Sequence, residues 1–80
     1  MEIKILGGGC AKCNRLEKLA RDVVAELGVK ADFGHVRDMD KIMAYDITST
    51  PALVIDETVK CFGRLPRKDE VVAWIQQAAA

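Results

Sequence analysis

The chain has 80 residues, twelve acidic and twelve basic, so it lacks the basic face that nucleic-acid binding requires. Half of the residues are apolar and 30% are charged, an ordinary balance for one globular domain, which we expect to span residues 1–80. The longest apolar stretches, such as Pro51 to Ile55, are too short to cross a bilayer, and the start of the chain lacks a signal-peptide run, so the expected compartment is the cytoplasm.

Glu2 to Leu6 reads as a strand, with Ile3 and Ile5 on one face and Lys4 on the other. Gly7-Gly8-Gly9 breaks it. From Ala11 to Leu27 the residues Leu16, Leu19, Ala20, Val23, Val24 and Leu27 recur at the spacing of an amphipathic helix. Gly28 follows, where a left-handed cap is expected. Val29 to Val36 reads as a second strand, which completes a right-handed parallel βαβ unit.

Asp38 is placed to cap a short helix whose Met39, Ile42 and Met43 are expected in the core. Thr48-Ser49-Thr50-Pro51 interrupts it. Ala52 to Asp56 and Thr58 to Phe62 form a hairpin around Asp56-Glu57, and Gly63 closes the second of these strands. Pro66 suits the first turn of a last helix, with Val71, Trp74, Ile75 and Ala78 facing inward. The order β-α-β-α-β-β-α predicts an α/β fold: a four-stranded mixed sheet with helices on both faces.

Three cysteines make an odd count, a close pair and a distant third. Cys10-Ala11-Lys12-Cys13 falls where the first strand hands over to the first helix. Unpaired backbone N–H groups and the helix dipole favour a thiolate there. Lys12 and Arg15 add positive charge. Cys13, three residues on, is within reach of the Cys10 sulfur. The pattern therefore fits thiol–disulfide exchange: Cys10 attacks a disulfide, and the more buried Cys13 resolves the mixed disulfide. The glycines, Gly9 foremost, leave room for an incoming backbone. Thr50-Pro51 is the candidate cis peptide, expected to expose the Thr50 carbonyl and N–H beside the pair.

Together, Gly9-Cys10-Ala11-Lys12-Cys13, Thr50-Pro51-Ala52-Leu53 and Gly63-Arg64 resemble the small thioredoxin/glutaredoxin-like redox-active disulfide proteins of archaea and anaerobic bacteria. The resemblance covers nearly the whole chain. It implies a minimal thioredoxin fold, with Cys10 and Cys13 as the catalytic pair and Pro51 as the cis proline. The chemistry calls for no metal and no organic cofactor. It implies protein disulfides as substrates, held around Gly9, Ala11, Lys12, Thr50, Pro51 and Gly63, and an upstream flavin- or ferredoxin-linked reductase. A monomer is expected.

The chain departs from larger relatives in several places. Gly9 stands where thioredoxins carry Trp, and Ala11-Lys12 stands for Gly-Pro. Lys4 occupies the spacing of their buried Asp, six residues before the first cysteine. It either snorkels to solvent or lies beneath the pair and favours a thiolate. Gly63-Arg64-Leu65 differs from the Gly-Gly and acidic residue with which glutaredoxins read glutathione. Cys61 is expected in the core opposite Phe62, His35 on the surface away from the pair, and Arg64 as a solvated charge.

Two other functions use the same cysteines. A copper-binding module also carries Cys-x-x-Cys after a first strand, but with the order β-α-β-β-α-β. A non-catalytic redox sensor would share every feature above.

Overall fold

Alternation in the first strand sets the layers of the molecule. The computed structural model describes residues 1–8 and 11–80. Strand β1 (Glu2–Leu6) pairs in parallel with β2 (Asp32–Val36) and antiparallel with β3 (Ala52–Ile55), which pairs antiparallel with β4 (Thr58–Phe62). The resulting order, β2-β1-β3-β4, is the mixed four-stranded sheet expected. Among the described residues three helices accompany it: α1 (Ala11–Leu27), α2 (Met39–Met43) and α3 (Lys68–Ala79).

Ile3 and Ile5 point to one face with Leu53, Ile55 and Cys61, where Leu16, Ala20 and Val23 of α1 and Val71 and Ile75 of α3 cover them. Leu6, Ala52 and Val54 point to the other, against Ile42 of α2 and Ile47. Burial of each fully covered aliphatic side chain stabilises the fold by about 1.5–3 kcal/mol. Every residue of β3 is buried because both faces of that central strand are covered.

Chain turns follow their local chemistry. Gly28 at φ +66° ends α1, with its N–H donating to the Ala25 carbonyl and that of Val29 to the Val24 carbonyl. This cap engages Val29, so β2 starts at Asp32 and not at Val29 as the sequence predicts. Asp38 caps α2 as expected, its Oδ1 accepting from the Asp40 N–H at 2.9 Å. Asp56 and Glu57 both take positive φ, the backbone of a tight hairpin turn.

Pro66 is buried just ahead of α3, outside its first turn. Arg67 stands at the cap position, its N–H donating to Glu70 at 3.0 Å. Met39 and Met43 also depart from expectation: they are 63% and 62% exposed. A five-residue helix has too few turns to bury a full stripe, and only Ile42 reaches the sheet.

Candidate active site

Parallel pairing places the C-terminal ends of β1 and β2 at one edge of the sheet, and the chain leaves that edge through Gly7 to enter α1. Cys13 lies in the first turn of α1 and is fully buried. Gly9 and Cys10, and with them the expected Cys10–Cys13 bridge, lie outside the described residues. Ala11 and Lys12 are exposed, as is Arg15, and the first turn of α1 has no acidic residue to oppose a thiolate.

Gly7 is where the site converges. A Cβ there would collide with Cys13 Sγ and lie 3.6 Å from the Thr50 Cβ. Its N–H donates to the Val36 carbonyl at 2.9 Å. Thr50 is exposed, and the Thr50-Pro51 peptide is cis, with Pro51 buried. The Pro51 carbonyl accepts from the Gly63 N–H at 2.9 Å. Gly63 takes φ +78°, and a Cβ on it would collide with Ser49 Oγ. Cys13, Thr50, Pro51 and Gly63 are thus gathered at one end of the sheet.

His35 departs from its expected surface position. Its side chain is only 14% exposed, with Nδ1 3.0 Å from Glu17 Oε1 and Nε2 3.2 Å from the Gly7 carbonyl oxygen. The bond to His35 holds the Glu17 carboxyl below the usual carboxylate range, aided by Arg21, whose Nε lies 3.1 Å from Glu17 Oε2. The βαβ reading contained a usable signal. In a parallel pair the end of the second strand lies beside the end of the first, and His35 shares the inward face of Phe33.

A thioredoxin-domain family profile matches residues 1–76. The chain belongs to the thioredoxin family. It is 44% identical to a thioredoxin of Methanothermobacter thermautotrophicus over 71 residues, 89% of this chain and 92% of that one. It is 32% identical to a thioredoxin of Methanocaldococcus jannaschii over 69 residues, 86% and 79% of the two chains. Thioredoxin 1 from the thermophilic eubacterium Thermosipho africanus shares the fold with a TM-score of 0.61 at 17% identity, over 96% of this chain and 92% of its own. The protein is accordingly a small thioredoxin-like thiol–disulfide oxidoreductase, of the archaeal kind its sequence resembles.

Lys4, at the spacing of the thioredoxin Asp, is not under Cys13. It shares the face of Leu6, opposite to that of Ile5 and Cys13. Its Nζ donates to Tyr45 Oη at 3.1 Å and pairs with Glu57 and, at 3.3 Å, with Glu2. Glu57 foremost, with Tyr45, holds its ammonium above the usual lysine range. Lys4 in turn depresses the Glu57 carboxyl.

Arg64, expected as a solvated charge, forks onto Glu70 at 2.9 and 2.8 Å. Arg64, followed by the Arg67 N–H, brings the Glu70 carboxyl down to about 2. Cys61 is buried among the residues under α1 and α3, where burial pushes its thiol up, and Phe62 is exposed on the other side of β4. Among the described residues no three His, Cys, Asp or Glu side chains converge to hold a metal ion, and no helix is long and apolar enough to cross a membrane.

Proposed function

We propose that the protein is a dithiol electron carrier that reduces protein disulfides, with Cys10 attacking and Cys13 resolving. The observation that carries this reading is the placement of Cys13. It is a fully buried cysteine in the first turn of α1, three residues after a second cysteine and pressed against the backbone of Gly7.

The Cys10 thiolate attacks one sulfur of the substrate disulfide, forming a mixed disulfide and releasing the other sulfur as a thiolate, which takes up a proton. Cys13, deprotonated, then attacks the Cys10 sulfur. The Cys10–Cys13 disulfide forms, the second substrate thiolate leaves, and two electrons have passed to the substrate. Lys12, Arg15 and the N–H groups of the first turn favour the anionic sulfur. The substrate segment is held along exposed Thr50, beside Pro51 and Gly63, with Ala11 and Lys12 lining the approach and Gly9 the further residue that the family resemblance assigns to substrate binding.

No metal or organic cofactor enters these steps. A flavin- or ferredoxin-linked reductase would return the pair to the dithiol state, in the cytoplasm, and the carrier would act as a monomer. The test is reduction of insulin by dithiothreitol, followed by turbidity. Wild type should accelerate precipitation, and Cys10→Ser and Cys13→Ser should abolish the acceleration. Stoichiometric Cu(I) binding without disulfide reduction would overturn the reading in favour of a metal module.

A further inference from the structure

We propose that His35 is a positioning residue of the redox pair: its imidazole ties the carbonyl of Gly7, whose side-chain space Cys13 Sγ fills, to the Glu17 carboxylate one helical turn beyond Cys13, and its protonation makes the resolving attack of Cys13 pH-dependent. The inference rests on the reading of Cys10 and Cys13 as an exchanging dithiol.

Both groups that face the imidazole are acceptors. One is the Gly7 carbonyl oxygen and the other a Glu17 oxygen, at 3.2 and 3.0 Å. A neutral imidazole carries one N–H, so it satisfies one of these contacts and sets a lone pair against the other. The imidazolium has two N–H groups and satisfies both. Among the described residues the other charged groups around it are few. On α1, Arg21 shares Glu17 with it. On β1 its register partner is Ile5, and Lys4 points to the opposite face. On its own strand, Asp32 lies at the exposed far end, and Arg37 is exposed just beyond Val36.

The end of β2 grips Gly7 from both sides, Val36 holding its N–H and His35 its carbonyl. No Cβ fits between Gly7 and Cys13 Sγ, so this backbone is one wall of the space that the sulfur fills. Loss of the His35 proton acts on Cys13 in two ways. One N–H then serves two acceptors, so one of the two ties opens, and the Glu17 charge, four residues along the same helix, is left with Arg21 alone as counter-charge. A less balanced carboxylate there disfavours a second negative charge on Cys13. Raising the pH therefore deprotonates Cys13 and, through His35, opposes that deprotonation. The resolving rate should climb less steeply across the His35 titration than on either side of it.

Stopped-flow reaction of the reduced Cys61→Ala protein with 5,5′-dithiobis(2-nitrobenzoate) separates the steps. Attack by Cys10 releases one thionitrobenzoate at a rate proportional to reagent. Attack by Cys13 on the Cys10 adduct releases a second at a rate independent of reagent. In wild-type His35 protein, followed from about pH 5 to 9, the second phase should show the inflection. His35→Gln donates an N–H at every pH and does not titrate, so its second phase should lose the inflection while the first stays within about twofold. His35→Phe offers no donor and should slow the second phase by about tenfold on the acid side of the inflection and less above it. Two-bond 15N–1H spectra should show both imidazole nitrogens protonated on the acid side of the inflection. An inflection that persists in His35→Gln, or none with His35 in place, overturns the proposal. Release of only one equivalent by the protein that retains His35 overturns the dithiol reading itself, and this inference with it.

Discussion

Gly7→Ala is the most direct probe of the site. The added methyl would overlap the Cys13 sulfur by more than about 1 Å, and Cys13 is fully buried, so the sulfur has no free space to enter. Overpacking of this kind costs about 1–3 kcal/mol. In a domain of this size each kcal/mol lowers the thermal midpoint by about 4–8 °C. Part of this cost comes from the sulfur and part from the backbone, since Gly7 sits at φ +156°, a conformation that L side chains rarely adopt. The same methyl would sit 3.6 Å from the Cys13 Cβ and from the Thr50 Cβ, both ordinary contacts. Cys13→Ala should relieve the collision and leave the backbone cost, so the double-mutant cycle should return a coupling of about 1 kcal/mol or more. Trp74 fluorescence under thermal and urea denaturation of the reduced proteins reads all four corners. In Gly7→Ala the second thionitrobenzoate phase should also slow by about tenfold to a hundredfold, since displacement of a reacting atom by about 1 Å carries that order of penalty. Additivity within about 0.5 kcal/mol, with an unchanged second phase, would refute the close packing of Gly7 on Cys13.

Three further substitutions test other parts of the structure. Lys4→Ala should lower the urea midpoint through loss of the Glu57 and Tyr45 contacts yet leave thiol titration and both exchange phases unchanged; altered thiol titration would contradict its placement on the far face. Arg64→Ala releases Glu70, whose carboxyl is held at about 2 in the folded protein. Stability from a depressed carboxyl is complete above the ordinary carboxylate range and lost as pH falls towards the folded value, so the substitution should move acid unfolding to higher pH by far-UV circular dichroism. Gly63→Ala should cost about 1–2 kcal/mol in urea denaturation for its left-handed backbone, plus a collision with Ser49. In a Ser49→Ala background the collision disappears and the backbone cost remains; full rescue there would refute the backbone account.

Local pattern made most of the fold legible. The stripe from Leu16 to Leu27 marks α1 because its spacing matches the helix period, and Gly28 marks its end because a left-handed cap suits glycine. Asp56-Glu57 between two β-rich runs marks the hairpin. The misplaced boundaries have local causes as well: Val29 is drawn into the α1 cap, and Pro66 lies one residue before the cap of α3. The exposure of Met39 and Met43 was not legible, because helical spacing does not say how much of a one-turn helix its neighbours cover. Within the site, Cys13, Pro51 and Gly63 stand out by residue type. Gly7 and His35 do not, since each matters through a contact that depends on strand register.

That register decides which charged group faces the redox end of the sheet. Parallel pairing sets Ile5 opposite His35 and Lys4 opposite Gly34. Ile3 and Ile5 must face α1 and α3, while Leu6 must face Ile42 and Ile47, so a slip of one residue would bury the wrong side of β1. The two-residue period then leaves no choice for the polar positions. Lys4 goes with Leu6, away from Cys13, however suggestive its distance from Cys10 along the chain. His35 goes with Phe33 towards α1, and as the penultimate residue of β2 it meets the chain where that chain leaves β1. Spacing along a strand thus becomes evidence about a redox site only when the face is counted with it. Counted that way, the ionisable groups that the described residues set beside Gly7 on this face are His35 and, through it, Glu17.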